Sequence, residues 1–249
     1  MRTIKRNRIL GSCNFDWPPE LKPDYAINPY IGCAHNCSYC WARDMTYRFR
    51  EPWGIPPDFE WDKPLVVENA LELLEVEMGQ KKPGRVLLSS MTDPYQPIEE
   101  ELKLTRGIIE HIPGQVMILT KAEHLPSRDF GLLRDNRNWF GVTITEGWDW
   151  PRKELLEVAR SSGLRTFVSF EPWFPAVNAQ REIGWLRWLV DYWIIGSLNR
   201  RGYAVGRNFY RRELPPFIEW MRQEGIKFYI KGELRRCMEE ASDESDRAM

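Results

Sequence analysis

The sequence predicts an α/β fold in which a largely parallel sheet curls into an incomplete barrel under a layer of helices, and three observations carry that expectation. Short apolar runs recur at residues 85–88, 116–119, 140–144, 166–170, 193–195 and 226–230. Runs that are apolar at nearly every position belong to strands covered on both faces. Between them, apolar residues return three and four apart, as in helices that lie on a sheet. Polar residues then close each run: Ser89-Ser90-Met91-Thr92-Asp93, Thr120-Lys121, Thr143-Ile144-Thr145-Glu146, Ser169-Phe170-Glu171-Pro172, Gly196-Ser197-Leu198-Asn199 and Lys231-Gly232-Glu233. The carboxyl ends of the strands form the ligand-binding face of β/α barrels, so these endings point to one mouth. Any single one of them also suits a turn or a helix cap.

Taken in order, residues 1–24 are polar and carry Pro18, Pro19 and Pro23, and read as a peripheral arm. Residues 25–30 form a short strand, a cysteine-bearing loop follows, and helix formers resume over 39–49. Residues 51–64 hold Pro52, Trp53, Gly54, Pro56, Pro57, Trp61 and Pro64, a proline density that forbids regular structure and suggests a loop or lid. Val67, Ala70, Leu71, Leu74 and Met78 then mark a helix ahead of the strand at 85–88. Later helices are marked by Leu102, Thr105, Ile108, Ile109 and Ile112; by Leu155, Leu156 and Ala159, stopping near Gly163; by Ile183, Leu186, Leu189 and Val190; and by Leu214, Phe217, Ile218 and Met221, stopping near Gly225. Six or seven strand–helix units suit an incomplete barrel spanning 25–232, with a further strand at 226–230 and a charged, flexible tail at 233–249.

A chain of 249 residues with 43% hydrophobic content is large enough for one such barrel with a substantial core. Its net charge of −1 gives no global attraction to nucleic acid or to an anionic membrane, so any such binding needs a local patch. No apolar run approaches the roughly 20 residues that span a bilayer, and the N-terminus has no signal-peptide core, so a cytoplasmic protein with reduced thiols and no membrane partner is expected. Twelve tryptophans and eighteen prolines argue for rigid, aromatic-lined loops.

Three of the five cysteines, Cys33, Cys37 and Cys40, sit on one loop in the spacing C-x3-C-x2-C, and no fourth follows at ligand spacing. Three thiolates on a short loop can hold three corners of a four-iron cube while one iron keeps no protein ligand. A structural zinc site with His35 or a distant fourth ligand is the other reading, although closed zinc sites usually pair two separated ligand clusters, and only Cys13 and Cys237 remain.

With Tyr39 before the last cysteine, this loop resembles the signature of the radical S-adenosylmethionine (SAM) enzymes. The wider frame Asn28-Pro29-Tyr30-x-Gly32-Cys33-x-His35-x-Cys37-x-Tyr39-Cys40, followed by Ala42-Arg43, resembles the branch that includes spore photoproduct lyase and the photolyase-like DNA repair proteins, as does Thr92-Asp93-Pro94-Tyr95-Gln96-Pro97-Ile98-Glu99. The resemblance implies a (βα)6-type partial barrel and a [4Fe–4S] cluster on Cys33, Cys37 and Cys40. It also implies reductive cleavage of SAM to a 5′-deoxyadenosyl radical that abstracts hydrogen from a substrate, with a donor such as flavodoxin or ferredoxin supplying the electron.

It further implies that Lys121 approaches the SAM carboxylate, that Ser90 and Asp93 receive the amine in place of the common Gly-Gly-Glu, that Thr143 and Thr145 meet ribose or carboxylate, and that Tyr39 packs near the adenine. Glu171 joins them as a strand-end contact. His35 and Arg43 either tune the cluster or hold the loop. Enzymes of this branch use an additional cysteine as hydrogen donor; here only Cys13 and Cys237 are left, and neither lies in a matching stretch.

The substrate implied first is a nucleic-acid base or lesion. A peptide or small metabolite is a second reading, and a non-catalytic, zinc- or cluster-stabilised nucleic-acid-binding module is a third. Between residues 199 and 212, Arg200, Arg201, Arg207, Arg211 and Arg212 alternate with Tyr203, Phe209 and Tyr210, a composition that tracks phosphates and stacks bases or simply forms a solvated loop. Trp148, Trp150, Trp173 and Phe174 follow two strand ends, where they form a substrate wall or plug the open side of the barrel.

Overall fold

The computed structural model describes residues 1–133, 137–145, 150–198 and 207–238. Within these, an eight-stranded sheet runs in the order β11-β10-β9-β8-β7-β6-β3-β2, built from β2 (Leu10–Ser12), β3 (Tyr25–Ile27), β6 (Arg85–Leu88), β7 (Gln115–Thr120), β8 (Trp139–Ile144), β9 (Arg165–Phe170), β10 (Tyr192–Ile195) and β11 (Phe228–Ile230). All neighbours are parallel except β2, which pairs antiparallel with β3, Leu10 opposite Ile27. Seven parallel strands joined by helices give the α/β partial barrel, and the expected extra strand is β11. A small second sheet holds β1 (Thr3–Ile4), β5 (Leu65–Val67) and β4 (Tyr30–Ile31).

The helices are α1 (Trp41–Arg48), α2 (Ala70–Lys81), α3 (Glu99–Leu102), α4 (Leu104–His111), α5 (Trp150–Ser161), α6 (Ala179–Leu186) and α7 (Arg207–Gln223). Their apolar stripes, such as Ile108 and Ile109 of α4 or Leu214, Phe217 and Met221 of α7, bury against the outer face of the sheet. The inner face is filled by alternate strand residues, Ala26, Leu87, Met117, Trp139, Phe167 and Ile194. Gly141 of β8 makes room among them, because a Cβ there would stand 2.4 Å from the Phe167 ring.

Several elements differ from expectation. The first 24 residues are no peripheral arm: β1 and β2 join the two sheets, and Trp17 and Leu21 enter the inner face, with Trp17 edge-on to Phe167 at 5.7 Å between ring centroids. The strand expected over 25–30 breaks after Ile27, where the Asn28 side chain turns to the backbone of Ser90 and Met91 and Pro29 has no N–H to offer a ladder. Residues 51–64 are irregular, as their prolines require, but they form no free lid. Ile55, Phe59 and Trp61 are buried with Cys33, Ala42 and Leu65 in a small core of their own. At the other end, residues 232–238 are helical and Leu234 is fully buried, so the start of the expected tail belongs to the body; 239–249 lie outside the described residues. No helix among the described residues is long and apolar enough to cross a membrane.

Candidate active site at the barrel mouth

The cysteine loop follows β4 and ends in α1, for which Cys40 is the N-cap. Two flanking segments fix its course. On one side Cys33 N donates to Trp61 O at 2.8 Å, and Gly32 holds φ +94°. A Cβ on Gly32 would meet Trp61 O at 2.6 Å, so only glycine fits. On the other side the segment 92–96 fastens both neighbours of Cys33. Thr92 Oγ1 donates to Gly32 O at 2.5 Å; Gln96, fully buried, accepts from Ala34 N at 2.9 Å and donates to Thr92 Oγ1 at 2.9 Å. Arg43 closes the loop by donating to Asn36 Oδ1 at 3.1 Å and to Cys37 O. It therefore holds the loop's shape.

The three sulfurs have unequal surroundings. Cys33 is buried, and burial pushes its thiol up to about 12, against a hydrogen bond from the His35 backbone. Burial also raises the Cys40 thiol, opposed by the N–H groups of Arg43 and Ala42 at the start of α1. Those N–H groups point at sulfur and favour its thiolate form. Among the described residues, no three His, Cys, Asp or Glu side chains converge as a single ion requires. A cube that offers a different iron to each cysteine asks instead for sulfurs set apart along a loop. Three thiols on one loop are the donor set such a group takes, and His35 Nε2 stands 3.5 Å from Asp93 Oδ2, too far for a good hydrogen bond.

Cys37 and Cys40 border a cavity of about 620 Å³ at the carboxyl ends of the strands. Tyr39, Ser90, Asp93, Lys121, Thr143 and Glu171 line it as well, so six of the seven expected cofactor contacts come together. Lys121 Nζ lies 5.3 Å over the Tyr39 ring, and burial lowers its pKa while the nearby Cys37 raises it. Thr145, the seventh, does not line the cavity: its hydroxyl is 3.0 Å from Tyr39 Oη and fixes that ring. Asp93 reaches the wall with its oxygens already engaged. Oδ1 accepts from Tyr95 N at 2.8 Å and Thr120 Oγ1 at 2.7 Å, and Oδ2 accepts from Lys121 N at 2.7 Å. Burial would raise its carboxyl, but His35 and these donors hold it below the usual carboxylate value. Asp93 is thus a brace between strand ends more than a receiver for an amine.

The expected substrate residues fare differently. Trp173 is buried on the outer face, 4.8 Å from Phe217 and 5.5 Å from Phe209 between ring centroids, and forms no part of the cavity wall. Arg207 is exposed at the start of α7, and Arg211 donates from Nε to Cys237 O at 3.4 Å; neither borders the cavity. Glu146, Trp148 and residues 199–206 lie outside the described residues. Sequence reasoning quoted Asn28, Gln96 and Lys231 in the loop frame, the 92–99 block and a strand end, but gave none of them a role of its own. Asn28 Oδ1 accepts from Ser90 N and Met91 N, and Lys231 Nζ meets Glu171 Oε2 at 2.5 Å across the mouth. The Thr92/Gln96 spacing of four was the one visible signal. The arm also lines the cavity, through Asn14, Phe15, Asp16 and Trp17.

A partial parallel barrel is a fold that this chain shares with solved structures of other proteins. Spore photoproduct lyase with bound AdoMet and a dinucleoside spore photoproduct superimposes with a TM-score of 0.61 at 14% identity, covering 92% of this chain and 80% of that one. Another structure of the same enzyme with the dinucleoside gives 0.59, with the chain spanning 65% of its length. SuiB from Streptococcus suis bound to S-adenosylmethionine gives 0.52 at 11% identity, over 83% of this chain and 47% of that one. Among curated proteins, an uncharacterised protein of Methanocaldococcus jannaschii is 27% identical over 226 residues, 83% of each chain. An uncharacterised protein of Mycobacterium tuberculosis is 29% identical over 181 residues, and the match spans about half of it, 52%. No family model matches the chain.

Proposed function

We propose that this chain is a radical SAM enzyme acting on a nucleic-acid base or lesion. The observation that carries the reading is the cysteine loop itself: three thiols on one braced loop, two of them bordering a cavity at the barrel mouth, with a cation and hydroxyls beside them. Cys33, Cys37 and Cys40 would hold a [4Fe–4S] cluster, leaving one iron for SAM. The chemistry such a cluster supplies when bound is one-electron cleavage of SAM to methionine and a 5′-deoxyadenosyl radical that takes a hydrogen atom from a substrate.

The chain's own residues do the rest. Lys121 offers its ammonium to the SAM carboxylate, and Ser90 and Thr143 offer hydroxyls. Tyr39, oriented by Thr145, presents a flat face to the adenine. The backbone N–H groups of Ala42 and Arg43 donate to the Cys40 sulfur, a contact that adjusts cluster potential. A flavodoxin- or ferredoxin-type reductant delivers the electron. A nucleic-acid substrate is supported by the dinucleoside held in the spore photoproduct lyase structures; Arg207 and Arg211, near the start of α7 and outside the cavity wall, are the cations that would meet its phosphates.

Anaerobic reconstitution tests the reading. About four irons per chain and dithionite-dependent release of 5′-deoxyadenosine are expected, and Cys33→Ala, Cys37→Ala or Cys40→Ala should each abolish the release. One tightly held zinc with no SAM cleavage would overturn it.

A further inference from the structure

The far side of the cavity from the cysteines carries a second polar centre that the SAM contacts do not use. Glu171 at the end of β9 and Lys231 at the end of β11 meet across Gly196 at the end of β10, with Nζ to Oε2 at 2.5 Å. The Glu171 side chain lies flat on Gly196: a Cβ there would stand 2.5 Å from its carboxyl carbon. The missing side chain is what lets the carboxylate cross the top of β10. Both charges are largely withdrawn from water, with side chains 21% and 15% exposed. A pair so desolvated contributes little net stability. Among the described residues Oε2 has Lys231 as its partner, which leaves Oε1 as an acceptor and two ammonium hydrogens as donors. Ser89, at the end of β6 on the cysteine side of the same cavity and 4% exposed, has a buried Oγ with no hydrogen-bond partner and a left-handed φ of +63°. Strained residues and unsatisfied buried hydroxyls gather where a ligand completes the site.

We infer that Glu171 and Lys231 read the hydrogen-bonding edge of a single everted nucleobase, the carboxylate taking its N–H and the ammonium its carbonyl or ring nitrogen. This rests on the nucleic-acid reading above and names the residues that would select the base. Each nucleobase sets a donor beside an acceptor on its pairing edge, and the Glu–Lys pair sets an acceptor beside a donor. Size limits the substrate further. A cavity of about 620 Å³ lies within the usual range for one ligand site. The part of it on the Glu171–Lys231 side is assigned to one base drawn out of the helix. Phe15 and Trp17, on the same wall, offer the apolar ring surface that a base face requires.

Fluorescence anisotropy on the reconstituted protein with SAM tests this. The probes are dT10, dC10 and dA10, each paired with the same oligonucleotide bearing an edge-blocked base: N3-methylthymine, N4,N4-dimethylcytosine or N6,N6-dimethyladenine. For the tightest-binding sequence the blocked form should bind at least about tenfold more weakly, the loss expected when one hydrogen bond to a charged group is removed. In Glu171→Gln and Lys231→Met that ratio should fall toward one. Gly196→Ala, which displaces Glu171 without altering charge, should do the same, and circular dichroism verifies folding. Equal binding of blocked and unblocked oligonucleotides by the wild type, or an unchanged ratio in all three variants, overturns the base-edge assignment alone. Failure of every oligonucleotide to bind overturns the nucleic-acid reading, and this inference with it.

Discussion

Gly32 and Asp93 show how single residues hold the cysteine loop. Gly32→Ala forces a Cβ to within 2.6 Å of a carbonyl oxygen at φ +94°. Strain of that kind costs about 1–3 kcal/mol, so a lower Tm and fewer irons retained after gel filtration are expected. Asp93→Asn replaces an acceptor that Lys121 N needs. Because interactions in the fold lower the Asp93 carboxyl, its contribution is complete above the unfolded value, about 3.9, and fades as pH falls through the folded one. The variant should therefore lose about 1–3 kcal/mol at neutral pH, and the gap to wild type in denaturant melts should close below about pH 4. At this scale the sequence disclosed where side chains start but not where they end. Ser90, Lys121, Thr143 and Glu171 reach the cavity because strand ends share one face, and Tyr39 joins them from the cysteine loop. Thr145 stands two residues beyond Thr143, yet its hydroxyl is consumed by Tyr39, and Trp173 turns outward into an aromatic cluster. Position along the chain carries no trace of those choices.

Among the elements, the segment 92–96 was recognisable as a motif, but its job was not. Its conspicuous acid, Asp93, braces strands, and the neutral Gln96 grips the cysteine loop. Beyond it, Glu99 accepts from Tyr30 and from Thr105 N at 2.8 Å and meets Arg128 at 3.2 Å, so β4, α4 and the turn at Arg128 are locked to the same segment. Gln96→Met keeps the volume but leaves Ala34 N without its acceptor, a loss of about 1–3 kcal/mol. The apo protein should show faster alkylation of Cys33 by iodoacetamide, read by mass spectrometry, since this clamp holds that stretch of backbone in place. An unchanged rate would mean that Trp61 alone suffices. Residues 51–64 teach the complementary lesson. Proline density correctly forbade a helix or strand, yet burial depends on partners distant in the chain, and Ile55, Phe59 and Trp61 found theirs beside Cys33.

For the molecule as a whole, periodicity disclosed the seven parallel strands because a sheet covered on both faces writes itself as apolar runs, but not the short β1, β2 and β5, and it read Val67 of β5 as helical. The closing of the barrel was not legible: Phe15, Trp17 and Leu21 are scattered among prolines and charges with no period to detect. Trp17 nevertheless fills the inner face against Phe167, and Trp17→Ala should cost about 3–5 kcal/mol, seen as a fall in Tm of about 2–4 °C for each kcal/mol. The same arm ends its course at the opposite edge of the sheet, where Asp16 accepts from Tyr229 Oη at 2.5 Å and from Gly232 N at 2.5 Å. These partners lie 213 and 216 residues away in sequence, so a single carboxylate draws two distant stretches of the polypeptide into one wall of the cavity, and the fold is complete there only when a contact of very high sequence separation has closed.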